Sequence, residues 1–181
     1  NSKIATAATA FSNQEELGCM MTDAITHRMK LDFAFQNLGG IRISELSAGD
    51  IRLKSIFQLD PFGNQVVTFN LTGAEIKSLI CNAYNREKQP DLVPSGMTYT
   101  VKVNAEGLCT DVEMKDISGQ LIDLNKTYSV GLNSYISASY KFDHADQGIT
   151  NYATSAQTLL DYLGEIKKVD YSGSRRVFVN N

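Results

Sequence analysis

Apolar positions near the start of the chain recur with helical spacing. Between Asn13 and Lys30 they fall every three or four residues, at Leu17, Met20, Met21, Ala24 and Ile25. This spacing places them on one face and predicts a first helix over 13–30. The aromatic and aliphatic run LDFAFQ (31–36) that follows predicts a short buried strand, which Asn37 and two glycines end.

A second strand and helix follow a turn that runs from Asp60-Pro61 to Gly63-Asn64. The segment 65–71 predicts the strand. Thr72 and Glu75 then have the spacing of a capping box, which predicts the start of a helix. The inward face of that helix is apolar, at Ile76, Leu79, Ile80 and Ala83.

The remaining pattern favours strands over helices. A loop is expected around Pro90 and Pro94, and strands are expected at 97–103, 109–115 and 127–133, with a turn at 116–122. The segment 134–148 has no clear period.

A final helix is predicted from Thr154, where Thr154 and Gln157 match a second capping box ahead of three leucines at 159, 160 and 163. The tail 174–180 predicts a closing strand. Consecutive strands among helices indicate an α+β fold with a mixed sheet, and we expect residues 1–181 to form one domain.

Composition narrows the classes of function. The chain has 181 residues, 43% of them hydrophobic, and a net charge of −3 from 17 basic and 20 acidic residues. We therefore expect a globular domain whose main partner is not a nucleic acid polymer. No apolar run is long enough for a membrane span, and the first residues lack the regions of a signal peptide.

Most common catalytic and metal-binding patterns are missing, including GxGxxG, the P-loop, GxSxG and HExxH. His27 is expected at a solvent-facing helix end. His144 has Asp143 and Asp146 beside it, which leaves a metal site as an alternative to a solvated loop.

The three cysteines are widely separated, so a disulfide framework is not expected, although one bridge is compatible with the count. Cys19 and Cys81 fall between apolar positions of the two predicted helices. They are interpreted as buried, unreactive thiols.

The segment FQNLGGIR (35–42) is the first candidate site. Gly39 and Gly40 permit positive φ and close approach of the backbone to a ligand, Asn37 can donate and accept, and Arg42 can bind an anion. The alternative is a glycine turn with an exposed arginine.

Aromatic residues in polar segments are the second candidate. Phe62 lies in the turn LDPFGN, and three further rings follow the strand at 127–133, at Tyr135, Tyr140 and Phe142. Exposed rings of this kind stack planar ligands. Packing at the rim of a sheet is the alternative.

Several motifs agree in order and spacing with one family. The segments EELGCMMTDAI, NLGGIR, LDPFGNQVVTFNLTGAEIKSLI, PSGMTYTV and LNKTYSVGLNSYI together resemble the C-terminal domain of the 5′-nucleotidase family, which includes UDP-sugar hydrolases and 2′,3′-cyclic phosphodiesterases. The resemblance is strongest over 14–136. It implies the fold of that domain and a role in binding the nucleoside part of a nucleotide.

The resemblance also implies roles for single residues. Asn37 and Arg42 match substrate contacts, with Gly39 and Gly40 in the same loop, and the two rings that enclose the base fall on Phe62 and Tyr135.

Three positions depart from the family pattern. Leu38 replaces a glycine, and Lys141 stands where an aspartate binds the ribose, so that Asp143 is the candidate substitute. An arginine expected before the first helix has no match near Phe11.

The resulting hypothesis is a substrate-recognition domain that needs a metallophosphatase partner, either in the same precursor or as a separate chain. The resemblance implies that the divalent metals lie in that partner and that this chain has no cofactor. The alternative is a binding or docking module, without catalysis, whose pocket has changed. The resemblance further implies a location outside the cytoplasm, in the periplasm or at the cell surface.

Overall fold

A computed structural model describes residues 2–180 of the chain. Its helices are α1 (Gln14–Met29), α2 (Leu53–Leu59), α3 (Gly73–Glu87), α4 (Ser134–Ser139) and α5 (Ser155–Ile166). Its strands are β1 (Lys3–Ala7), β2 (Phe33–Asn37), β3 (Gly49–Arg52), β4 (Gln65–Thr72), β5 (Leu92–Ser95), β6 (Met97–Val103), β7 (Cys109–Asp116), β8 (Thr127–Asn133), β9 (Ile149–Thr154), β10 (Lys168–Val169) and β11 (Val177–Asn180). A 3₁₀ turn covers Leu38–Gly40.

The central sheet has the strand order β5-β2-β8-β4-β9. Strands β2 and β8 are parallel, whereas the other neighbouring pairs in this sheet are antiparallel. Two smaller sheets have the orders β10-β1-β3 and β11-β6-β7. The predicted α+β architecture with a mixed sheet and packed helices is therefore confirmed.

Two apolar clusters hold the elements together. The first joins the central sheet to α3, β6 and β7, with Phe35, Leu79 and Val130 among its fully buried members. The second joins α1 and α5 to β1 and α2, with Leu17 and Leu163 at its centre. These clusters correspond to the apolar helix faces that the spacing in the sequence predicts.

The predicted helix starts are reproduced with one correction. The Asn13 side chain accepts a hydrogen bond from Glu16 N at 2.8 Å and caps α1, and Thr72 and Glu75 form the complete capping box of α3. At α5 only half of the predicted box forms. Thr154 accepts from Gln157 N at 3.1 Å, but the Gln157 side chain donates to Asp161 instead of turning back to the helix start.

The loop expected around Pro94 is wrong, because β5 runs through it. Phe35 of β2 pairs with Pro94, and β5 is the outer strand of the central sheet. Proline has no backbone N–H to donate, so it is compatible with a strand at an edge. The unassigned segment 134–148 likewise contains α4 and leads into β9.

The interpretation of Cys81 as a buried thiol is also wrong. Cys81 of α3 forms a disulfide with Cys109 of β7, across a sequence separation of 28 residues. Cys19 is free and fully buried, as predicted. Burial raises the pKa of Cys19 to about 12, so its thiol stays protonated and unreactive.

Candidate functional site

A cleft of about 590 Å³ opens at one edge of the central sheet. Strands β2 and β8 are parallel and end there, and β4 begins there because Val66 pairs with Asn133. Three loops therefore converge at this edge. The cleft is lined by Asn37, Leu38, Gly39, Gly40, Arg42, Phe62, Asn64, Arg86, Glu87, Gln89, Asp91, Tyr135 and Tyr140.

Six of the eight residues predicted for the site line this cleft, namely Asn37, Gly39, Gly40, Arg42, Phe62 and Tyr135. The other two do not. The Lys141 carbonyl accepts a hydrogen bond from Asn82 at 3.0 Å, and the Asp143 amide donates to Ser78 at 3.3 Å, so both lie along the outer side of α3. The cleft lining therefore gives no support to the predicted ribose contact through Lys141 or Asp143, and that role stays a prediction.

The two aromatic rings stand on connected loops. Phe62 is 52% exposed and Tyr135 is 45% exposed. Ser134 connects them, since its hydroxyl donates to Asn64 Oδ1 at 3.1 Å and accepts from Gln65 N at 3.1 Å. The loop that carries Phe62 and the start of the helix that carries Tyr135 are thus fixed to one another.

A buried acid supports the base of the Phe62 loop. Asp60 is 3% exposed and accepts a hydrogen bond from the Ser155 hydroxyl, while Ser155 N donates to the Asn64 carbonyl at 2.8 Å. Burial raises the pKa of Asp60, and the Ser155 hydrogen bond opposes that rise. The loop is therefore held at both ends, before and after the ring.

Asn37 is held from behind by a second buried amide. The Nδ2 group of Asn133 donates to Asn37 Oδ1 at 2.9 Å, and Asn133 Oδ1 accepts from Ile136 N at 2.8 Å to cap α4. No residue in the described range 2–180 accepts a hydrogen bond from Asn37 Nδ2, although Asn37 lines the cleft. This group can donate to a ligand.

The glycines act differently from the sequence-based expectation. Neither Gly39 nor Gly40 has a positive φ. A Cβ atom at Gly40 would lie 2.3 Å from Gln36 Nε2, so the close approach is to the chain's own side chain. The exposed Arg42 guanidinium lies 5.7 Å from the centre of the Phe62 ring and 3.4 Å from the Gly39 carbonyl oxygen.

Sequence reasoning missed the wall of the cleft that α3 and β5 provide. Arg86 and Glu87 end α3, while Gln89 and Asp91 precede β5. The pairing of Asn37 with Leu92 brings this segment beside the predicted loop. The polar run REKQPD was the sequence signal that could have indicated this wall. Because β5 was not predicted, nothing in the sequence indicated that the run would lie beside the cleft.

The two histidines have structural partners. His144 stacks on Phe142 with ring centres 4.4 Å apart, and its Nδ1 lies 2.6 Å from the Asp146 carbonyl oxygen. His27, in the last turn of α1, forms a hydrogen bond through its Nε2 with the carboxylate of Glu165 in α5. Within residues 2–180 no group of three or more His, Cys, Asp or Glu side chains could hold a metal ion.

Replacing Asn133 with alanine is expected to destabilise the protein by about 2 kcal/mol, because the change removes the cap of α4 and one of the two donors to the buried Asn37 oxygen, leaving only Gln36 Nε2 at 3.2 Å. Urea unfolding followed by circular dichroism measures the effect. Asn125→Ala, at an exposed asparagine in a turn, is the matched control. Equal stability of the two variants would contradict the assigned role of Asn133.

Comparison with known proteins identifies relatives that are much longer. The chain is 30% identical to a 5′-nucleotidase of Vibrio cholerae over 164 residues, which cover 87% of this chain and 28% of that protein. It is 27% identical to the protein UshA of Escherichia coli, over 88% of this chain and 29% of UshA. It is 31% identical to the endonuclease YhcR of Bacillus subtilis, over 68% of this chain and 10% of YhcR. The chain therefore spans less than a third of the length of each of these relatives.

Solved structures share the fold over the whole chain. A 5′-nucleotidase precursor from Thermus thermophilus superposes with a TM-score of 0.78 at 26% identity, covering 100% of this chain and 40% of that one. The NAD nucleotidase of Haemophilus influenzae gives a TM-score of 0.83 at 20% identity, covering 99% of this chain and 38% of that one, and shows likeness of fold alone. A family model described as "5′-nucleotidase, C-terminal domain" matches residues 2–146. The chain thus belongs to the 5′-nucleotidase C-terminal domain family.

Proposed function

We propose that this chain binds the nucleoside part of a nucleotide, which a dinuclear metallophosphatase domain then hydrolyses. The observation that carries the proposal is the pair of half-exposed rings, Phe62 and Tyr135, on connected loops at one cleft. Exposed apolar groups gathered around one cleft, unlike single exposed residues elsewhere on a surface, mark a ligand-binding groove. A flat base between two rings would gain roughly 1–3 kcal/mol from each stack.

The polar groups of the cleft suit the rest of such a ligand. Asn37 Nδ2 is available as a donor, and the exposed Arg42 guanidinium can bind a phosphate or a ribose oxygen. In this division of work the partner supplies metal-activated water, and this chain contributes orientation through binding energy. The chain alone is therefore expected to lack hydrolase activity, and its role is in nucleotide catabolism.

The proposed location is extracytoplasmic, at the cell surface or in the periplasm. The Cys81–Cys109 disulfide supports it, because disulfides persist in oxidising compartments. The described helices include none that is long and apolar enough to cross a membrane.

Calorimetric titration of the purified chain with adenosine, AMP and UMP tests the proposal. Phe62→Ala and Tyr135→Ala are each expected to weaken binding by roughly 5- to 150-fold, since each removes one stack. Tyr152→Ala is the matched control, because Tyr152 is a fully exposed ring on β9 that does not line the cleft. It should leave affinity unchanged.

Two results would contradict the proposal. Absence of binding by all three ligands would favour the alternative, a docking or binding module whose pocket has changed, for which the position of Lys141 and Asp143 outside the cleft is the supporting observation. Hydrolysis of AMP by the chain alone, with a divalent cation added, would contradict the division of work.

A further inference from the structure

One wall of the cleft contains a linked set of side chains, of which the sequence patterns and the family resemblance assign the two tyrosines but neither Asp91 nor Arg86. It runs from Asp91 through Tyr140 and Arg86 to Tyr135. The Tyr140 hydroxyl donates to Asp91 Oδ2, and the Arg86 guanidinium carbon lies 4.2 Å from the centre of the Tyr140 ring. Arg86 Nη2 then donates to the Tyr135 hydroxyl at 3.2 Å.

The inner end of this set is rigid. Asp91 is 5% exposed and Tyr140 is 7% exposed, so neither has room to change rotamer freely. Burial raises the pKa of Tyr140, and the hydroxyl therefore keeps the proton that it donates to Asp91. The Tyr140 ring thus offers a fixed surface on which the planar guanidinium of Arg86 stacks.

The outer end is the exposed ring. Tyr135 meets Tyr140 edge to face, with ring centres 6.3 Å apart and planes at 76°. Within residues 2–180 the Tyr135 hydroxyl takes part in one side-chain hydrogen bond, in which Arg86 is the donor. A half-exposed ring without such a contact would sample several rotamers, and binding would have to restrict it.

We propose that Arg86 is a positioning residue, which holds the Tyr135 ring in the orientation that a planar ligand needs. The inference rests on the proposed function, since it concerns the same cleft. It assigns a use to the hydroxyl of Tyr135, which stacking alone does not require. It also makes Arg86 a determinant of affinity for the flat part of the ligand, whatever anionic group the ligand carries.

A direct contact between Arg86 and a phosphate is the competing role. The geometry disfavours it, because the guanidinium is already engaged on three sides. Its face covers Tyr140, Nη2 reaches Tyr135, and Nη1 lies 3.5 Å from Glu87 Oε1. The two roles differ in a measurable way: a phosphate contact favours AMP over adenosine, whereas ring positioning affects both ligands equally.

The test is a double-mutant cycle with Arg86→Met and Tyr135→Phe, titrated calorimetrically with adenosine and with AMP. Each single change should weaken both ligands by about 3- to 10-fold, the cost of immobilising one side chain on binding. The double variant should bind each ligand as tightly as the single variant with the lower affinity, because both changes remove the same contact. Arg86→Lys should resemble Arg86→Met, since lysine cannot stack as a plane.

Arg175→Met is the matched control. Arg175 also places its guanidinium over a ring, 4.8 Å from the centre of Phe178, but it does not line the cleft. This change should leave both affinities unaltered, and thermal unfolding should show that all variants fold.

Three results would overturn the positioning role while nucleoside binding stands. They are losses of affinity that multiply in the double variant, a loss of affinity for AMP but not for adenosine, and full affinity in Arg86→Lys. If the unaltered chain binds neither adenosine nor AMP, the proposed function fails, and the role of Arg86 fails with it.

Discussion

Replacing Arg176 with methionine is expected to lower the free energy of unfolding by about 2 to 3 kcal/mol, at or below the lower end of the range for a fully buried ion pair, because the Arg176 and Asp23 side chains are 21% and 26% exposed. Arg176 precedes β11 and binds Asp23 of α1 with both ends of its guanidinium, at 2.7 and 2.9 Å. Its Nη1 also donates to the Pro94 carbonyl at 3.0 Å. Methionine fills part of the space but leaves the Asp23 carboxylate without its cation.

The cost is large because Asp23 is the centre of a network. It also accepts hydrogen bonds from Ser95 at 2.6 Å and Tyr171 at 2.8 Å. These contacts tie α1 to β5 and to the segment after β10. Since β5 is paired with β2, the network supports the strand that ends at Asn37, and the cleft depends on it indirectly.

Urea unfolding of Arg176→Met, followed by circular dichroism, measures the effect, and Arg175→Met is the control because the neighbouring Arg175 is exposed. A double variant, Asp23→Leu with Arg176→Met, should recover part of the lost stability, since it removes both charges. An Arg176 variant as stable as the Arg175 variant would show that the pair contributes little.

Local patterns were sufficient for the elements that a short segment determines. The strands β6 and β8 have the predicted bounds, α1 falls within the predicted range 13–30, and α3 begins at the predicted capping box. In each case the period of apolar residues and the capping side chain lie within one segment, so neighbouring residues contain the whole signal.

The features that failed depend on pairing between distant segments. Strand β5 has only four residues, one of them a proline and one a serine, and it is a strand because β2 lies beside it. The partner of Cys81 is 28 residues away, on a strand that packs across α3. No local pattern encodes either contact.

The candidate site divides in the same way. Asn37, Arg42, Phe62 and Tyr135 could be located from motif order, since each stands at a fixed offset from a recognisable strand or turn. Arg86 could not, because its place in the cleft follows from β5. Lys141 follows α4 and its carbonyl accepts a hydrogen bond from Asn82 of α3, and its predicted contact with the ribose stays a prediction.

Reduction of the Cys81–Cys109 disulfide is expected to lower the free energy of unfolding by about 3 to 4 kcal/mol. The bridge closes a loop across a sequence separation of 28 residues. Restricting a loop of this length in the unfolded chain accounts for roughly that amount in the chain-entropy description. Both halves of the bridge belong to the cluster that joins α3 to β7 and the central sheet.

Unfolding in urea with and without a phosphine reductant measures the change, and a Cys81→Ala, Cys109→Ala double variant is the matched control. The double variant should be destabilised to a similar extent and should not respond to the reductant, because the remaining Cys19 is buried and unpaired. Arg86 lies in α3 about one turn after Cys81. If reduction loosens the end of that helix, adenosine binding should weaken together with stability. An unaltered unfolding curve in reductant would show that the bridge does not form or does not constrain the chain.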